Sequence, residues 1–293
     1  MAHAKHLAMS GYTERFLRVP DGLSLFARDY APAGGEAKGL PVICLHGLTR
    51  NSADFDVLAE RIAAMGRRVI VPDVRGRGRS DNDPQAERYR PNIYVGDTVA
   101  WLDALGVPRA IFVGTSMGGI ITMLAAVMAG NRIAAAVLND IGPEVDTRGI
   151  ARIASYVGKE GPFESWDVAI AAVREMQLSN FPNGDDAFWK GFARCVMREK
   201  NGRVEFAYDP AISQGFSSGP VPSMVPLFEA LARVPVLVVR GALSDLLAPA
   251  GVDVMKRIKS DLDYAEVPGV GHAPTLNEPV AWGAIEKFLM KLP

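Results

Sequence analysis

The chain has 293 residues, of which 48% are hydrophobic and 22% charged, with a net charge of −1. A chain of this size and composition buries a large core without disulfide staples, and its balanced charge argues against nucleic acid or an anionic membrane as partner. There are two cysteines; Cys44 sits in the apolar run Pro41-Val-Ile-Cys-Leu45 and reads as a small buried hydrophobe, so no disulfide framework is expected. No stretch reaches the length of a membrane-spanning helix and residues 1–10 lack the apolar core of a signal peptide, so a cytoplasmic protein without membrane insertion is expected.

In chain order, Arg15 to Val19 and Leu23 to Tyr30 flank Pro20-Asp21-Gly22, which predicts a hairpin with an Asp-Gly turn. Val42 to Leu45 reads as a short buried strand, and Asp54 to Met65 as a helix ending at Gly66. Val69 to Val71 is the next strand, Asn92 to Leu105 a helix closed by Gly106, and Ala110 to Val113 a strand. Met117 to Ala129 is a helix closed by Gly130, followed by the strand Ile133 to Leu138. From about Glu144 to Arg233 the alternation breaks into helix-like stretches and turns. It resumes with the strand Val236 to Val239, the helix Ala250 to Ile258, the strand Asp263 to Val267 and the helix Pro279 to Leu289. Alternating strands and helices joined by short turns specify an α/β fold, a mostly parallel sheet with helices on both faces. The expected organisation is a core formed by residues 1–143 and 234–293, interrupted by an insertion at 144–233.

The sharpest chemical signal is Gly114-Thr-Ser116-Met-Gly118, set between the strand ending at Val113 and the helix beginning near Met117. A serine in such a strand-to-helix turn needs glycine neighbours, because side chains there would clash, and the helix N-terminus faces developing negative charge. A serine nucleophile needs a base. Of the four histidines, His3 and His6 lie in the N-terminal tail and His46 precedes the serine. Only His272, in Pro268-Gly-Val-Gly-His272-Ala-Pro274, follows it, just after the last predicted strand. The acid belongs between them in chain order. Asp245, in Arg240-Gly-Ala-Leu-Ser-Asp245, is the expected third member; Asp140, which follows the strand Ile133 to Leu138, is the competitor and otherwise a carboxylate near the substrate. The oxyanion hole is expected from the backbone N–H groups of Leu48 and Met117, with His46 shaping the loop. Arg50 and Asn51, in the same loop, are candidates for contact with a polar substrate group.

Leu45-His-Gly47, Asp73-Val-Arg-Gly-Arg-Gly-Arg-Ser80, Gly114-Thr-Ser-Met-Gly-Gly119, Arg240-Gly-Ala-Leu-Ser-Asp245 and Gly269-Val-Gly-His272 together resemble the successive signatures of the α/β-hydrolase family over about residues 40 to 290, the insertion excepted. The resemblance implies that the insertion is a helical cap and that the cluster Arg75 to Arg79 is a structural turn rather than a phosphate site. Family members that open epoxides or remove halide carry an aspartate where this chain has Ser116, so the resemblance implies a seryl acyl-enzyme. The insertion is rich in large apolar residues, among them Phe163, Trp166, Phe181, Phe188, Trp189, Phe192, Phe206 and Phe216. Some of these would roof the site, with Trp166 and Trp189 as examples.

The expected function is hydrolysis of a small or medium carboxylic ester or lactone, with a small-molecule substrate, no cofactor and no metal; self-association is left open. Two alternatives remain at this point: a C–C bond hydrolase acting on a diketone of the ring-cleavage type, and a non-catalytic ligand-binding protein on the same scaffold.

Overall fold

In the computed structural model, described over residues 11–159, 161–215 and 223–293, alternation of strand and helix builds one eight-stranded sheet. His3, His6 and Phe216 lie outside the described residues. The strands are β1 (Tyr12–Arg18), β2 (Ser24–Tyr30), β3 (Val42–Leu45), β4 (Val69–Pro72), β5 (Ala110–Thr115), β6 (Ile133–Asn139), and, after the insertion, β9 (Val236–Gly241) and β10 (Asp263–Val267). Between them run α1 (Asp56–Ala64), α2 (Pro91–Ala104), α3 (Met117–Met128), α8 (Pro249–Ile258) and α9 (Pro279–Met290). The insertion holds α4 (Thr147–Tyr156), α5 (Trp166–Gln177), α6 (Asp186–Val196), β7 (Met197–Lys200), β8 (Arg203–Phe206) and α7 (Val225–Leu231).

The sheet order is β1-β2-β4-β3-β5-β6-β9-β10. β1 pairs antiparallel with β2 and β2 with β4; every other neighbouring pair is parallel. The central strands read as unbroken apolar runs because both their faces are covered. Ile43, Leu45, Phe112, Leu138 and Val238 face one core layer, while Val42, Cys44, Val113, Val137 and Val239 face the other. The edge hairpin β1–β2 turns at Gly22, whose φ of +90° is easily adopted only without a Cβ. Because the parallel strands share one direction, their C-terminal ends line one rim, and the loops there carry Ser116, Asp140 and His272.

The insertion departs from an all-helical expectation. α4, α5 and α6 are capped by Asp146, Ser165 and Asp185, whose side chains accept from backbone N–H groups in the first turn. β7 and β8 add a two-stranded antiparallel hairpin. Its turn residues, Asn201 and Gly202, both have positive φ, +52° and +74°, the conformation of a two-residue type I′ turn. This insertion has its own apolar cluster, built on Val173, Phe181, Trp189, Phe192, Val196 and Val204. It is joined to the rim through the Arg75-to-Arg79 loop: Gly78 N–H donates to Ala207 O and Asp209 N–H to Gly76 O, each at 2.7 Å.

Candidate active site

Ser116 lies in the turn between β5 and α3 with φ +51° and ψ −113°. The turn is possible because its neighbours lack side chains. A Cβ on Gly118 would stand 1.9 Å from Leu45 O, and one on Gly114 would stand 2.4 Å from Gly118 O. The strained serine backbone is anchored by its N–H, which donates to Asn139 O at 3.0 Å. Met117 opens α3, so its N–H belongs to the helix end that has no intrahelical acceptor.

His272 Nε2 is 2.9 Å from Ser116 Oγ, and Nδ1 is 2.8 Å from Asp140 Oδ2. The carboxylate is fully buried and accepts two more bonds, from Gly241 N–H at 2.8 Å and Ser244 Oγ at 2.5 Å. An ionised carboxylate only accepts, so Nδ1 carries the imidazole proton and Nε2 is left to accept from the serine hydroxyl. Asp140 takes up φ +56° immediately after β6, a left-handed conformation that aspartate tolerates better than most residues.

This corrects the expected acid. Asp245 does not bond to His272; its two oxygens accept from Arg152 Nε at 2.6 Å and Nη2 at 2.8 Å. Burial alone would raise the Asp245 carboxyl, but the bonds and charge of Arg152 hold it below its ordinary range. Arg152 belongs to α4 in the insertion, so its position beside the loop after β9 is invisible to motif spacing. Asp140, by contrast, leaves the strand next to the one that carries Ser116.

Three further polar residues support the histidine loop and the Asp140 carboxylate. Asn180 follows α5 and is almost wholly buried. Its carbonyl accepts from Gly271 N–H at 2.7 Å, and its Oδ1 from His272 N–H at 3.1 Å. Asn139 Nδ2 donates to Pro274 O at 2.8 Å, just past the histidine. Ser244 bridges Asp140 to the backbone N–H groups of Leu246 and Leu247. No short sequence pattern marks Asn180; Asn139 stood beside Asp140 in the sequence and Ser244 beside Asp245.

His46 is fully buried, and burial lowers its pKa to about 3. Its Nε2 accepts from Val74 N–H at 3.0 Å, so Nδ1 donates to Gly47 O at 2.8 Å. The neutral ring ties the loop after β3 to the turn after β4. Arg77 reinforces this loop from beneath: its Nε donates to Leu48 O at 3.0 Å, and its Nη2 reaches Met117 Sδ at 3.7 Å. Arg75 is clamped by Asp21, Asp83 and Asp97 at 2.7–2.8 Å. Arg75 and Arg77 are thus internal scaffolding, whereas Arg79 pairs with Glu14 at the surface.

Ser116 and His272 open into a cavity of about 600 Å³. One wall is the loop from Gly47 to Arg50, continuing through Asp54 and Asp56; another is the insertion, with Ile153, Tyr156, Val173, Met176, Phe188, Phe192, Phe206 and Tyr208. Leu48 and Arg50 line this cavity, but Asn51, Asp140, Trp166 and Trp189 do not. Asn51 instead donates to Cys195 O at 2.7 Å and caps the following turn, Ser52–Phe55, by accepting from Ala53 N–H. Trp189 is buried beneath Phe181, Phe188 and Phe192, its indole N–H donating to Gly184 O at 2.9 Å. Trp166 lies under the Arg194 guanidinium at 3.7 Å. Phe188, Gly191, Phe192 and Cys195 share one face of α6 at helical spacing, and that face is the roof. Among the described residues no group of three or more His, Cys, Asp or Glu side chains is placed to hold a metal ion. No helix among them is long and apolar enough to cross a membrane.

The family model of the alpha/beta hydrolase fold matches residues 41–279. The chain belongs to that family, and it is a hydrolase. The chain is 34% identical over 279 residues to the 3-hydroxybutyrate-oligomer hydrolase of Cupriavidus necator, covering 92% of this chain and 94% of that one. It is 27% identical to the 2-(acetamidomethylene)succinate hydrolase of Mesorhizobium japonicum, over 81% and 83% of the two chains. Among solved structures, an alpha/beta hydrolase from Novosphingobium aromaticivorans superposes with a TM-score of 0.90 at 39% identity, covering 97% of this chain and all of that one.

Proposed function

We propose that this hydrolase cleaves a small or medium carboxylic ester or lactone through a seryl acyl-enzyme, with Ser116 as nucleophile, His272 as general base and Asp140 as the orienting acid. The observation that carries the reading is the continuous chain of hydrogen bonds from Ser116 Oγ through His272 to the buried Asp140 carboxylate, open to a largely apolar cavity. Ser116 Oγ attacks the ester carbonyl carbon while its proton passes to His272 Nε2. The C–O bond to the alcohol then breaks, and the alcohol leaves with that proton. Water, deprotonated by the same nitrogen, releases the acid and regenerates Ser116. Asp140 keeps the imidazole in the productive tautomer and stabilises its cation. The backbone N–H groups of Leu48 and Met117 are the proposed oxyanion hole, their loops braced against one another by Arg77.

Residues 144–233 act in this reading as a cap that excludes water and supplies apolar walls. The relative from Cupriavidus necator supports ester cleavage and suggests hydroxyacyl esters as substrates. The test is labelling by a fluorophosphonate probe together with turnover of parallel panels of esters, lactones and vinylogous diketones. Ester or lactone turnover with Ser116 labelled is expected. Diketone cleavage without ester turnover would replace this reading with C–C hydrolysis, and absence of both labelling and turnover would leave a binding protein.

A further inference from the structure

The loop that follows β3 places a charged pair, Arg50 and Asp54, on the cavity wall close to the nucleophile. A methyl group on the Cα of Gly47 would stand 3.4 Å from Arg50 Cγ and 3.9 Å from Ser116 Cβ, so the arginine stem and the serine flank one point. The guanidinium is held twice. Its Nε lies 2.7 Å from Asp54 Oδ2 and 3.0 Å from Oδ1, and its centre rests 4.1 Å from the Phe192 ring centroid. Both clamps act on Nε or on the π face. Nη1 and Nη2 donate to none of the described protein atoms. The neighbouring guanidiniums differ: Arg28 Nη1 is engaged by Asp56, and Arg77 Nη1 by Arg75 O and Tyr94 Oη.

From this we propose that the Arg50–Asp54 pair is a specificity site for a neutral oxygen substituent, a hydroxyl or an ester oxygen, carried by the substrate near its scissile carbonyl. The inference rests on the ester-hydrolase reading and deepens it to esters of hydroxyalkanoic acids. A fixed arginine with free Nη groups offers donors at little entropic cost, and the Asp54 carboxylate offers an acceptor to a hydroxyl proton. The local charges cancel, Arg50 against Asp54 and Arg28 against Asp56, so a free carboxylate brought here would remain uncompensated. Met176, Phe188 and Phe192 supply carbon walls for the chain that bears the oxygen.

The test compares kcat/KM for ethyl butyrate, ethyl 3-hydroxybutyrate and monoethyl succinate on the full-length protein, with Arg50→Met, Arg50→Lys and Asp54→Asn. The wild type is expected to prefer the hydroxy ester over the plain ester by about tenfold to a hundredfold, the value of a hydrogen bond to a charged donor. Arg50→Met should bring that ratio to within about threefold of unity. Arg50→Lys, which keeps the charge but loses the planar fork, should fall between. Asp54→Asn leaves Arg50 uncompensated and should raise succinate relative to butyrate. A wild-type ratio near unity, a preference for succinate, or a ratio that survives Arg50→Met overturns the inference while butyrate turnover and Ser116 labelling keep the ester reading intact. If Arg50→Met does not fold, the wild-type and Arg50→Lys ratios decide. Absence of both labelling and ester turnover overturns the ester reading and this inference with it.

Discussion

Ser116 and Asp140 are placed by backbone: each sits just past the end of a central strand, in a left-handed turn, with its N–H donated to a carbonyl of the neighbouring strand. Phe188 and Phe192, the roof of the same cavity, are placed by other side chains, packed in tilted and edge-on contacts against one another and against Phe181 and Trp189 within the insertion. A position set by ladder hydrogen bonds tolerates little change. A position set by packing tolerates substitution at the cost of stability or shape. The core should therefore carry the chemistry and the insertion the selectivity, and each experiment below is a way to break or sharpen that division.

The largest effect belongs to Ser116, the proposed nucleophile. Ser116→Ala should abolish fluorophosphonate labelling and lower kcat by on the order of 10⁵-fold, since triad members act as a unit. Near-normal turnover in this variant would falsify the assignment. Next comes the contrast between the two acids. Asp140→Asn should lower kcat by about 10⁴-fold through loss of tautomer control, whereas Asp245→Asn should leave kcat within about tenfold and act mainly through the Arg152 contact. Reversal of that order in steady-state kinetics would return the acid to the loop after β9. In the insertion, Trp189→Ala should cost about 3–5 kcal/mol of stability in urea unfolding, the range for emptying a buried tryptophan site. Phe188→Ala should instead reorder a graded series of acyl chain lengths by about 10–200-fold in kcat/KM ratios. An unchanged ranking would mean that the α6 face does not contact the acyl chain.

The smallest effect concerns His46. Its native pKa of about 3 lies below that of the unfolded chain, about 6.5. Between those values the unfolded state binds the proton that the native state refuses. The contribution is therefore intact above about pH 6.5 and is lost as pH falls toward 3, with a slope of up to about 1.4 kcal/mol per pH unit. Urea midpoints of wild type and His46→Gln should converge from pH 7 down to 5. Parallel pH profiles for the two proteins would show that His46 is not held neutral.

The parts legible in the sequence were those governed by local rules. Val42–Leu45 forms a strand with the boundaries of its apolar run, and Asp263–Val267 one with the boundaries expected from the alternation of strands and helices; the glycines around Ser116 mark a turn that only small residues permit. His272 followed from scarcity, being the one histidine after the serine. The acid is ambiguous in the sequence because two aspartates satisfy the same chain order; which of them reaches His272 turns on Arg152, which engages Asp245 and whose approach depends on how the insertion docks. That Trp166 and Trp189 lie off the cavity is not legible in the sequence, because helical periodicity shows that a face exists without showing where it points. The β7–β8 hairpin carries its own local signal: Asn201-Gly202 is the residue pair that a type I′ turn favours.

The contact of Asn180 with the histidine loop bears on how separable these two regions are. Two bonds from the insertion, to Gly271 and His272, fix the backbone on which the proposed general base is mounted. The core holds the same loop from the other side, through Asn139 at Pro274 O and Asp140 at the imidazole, so any change in how the insertion docks is also a change in half of what positions His272. An insertion transplanted from another family member would have to bring its own latch, or the recipient would gain a new substrate range and lose its turnover rate in the same step.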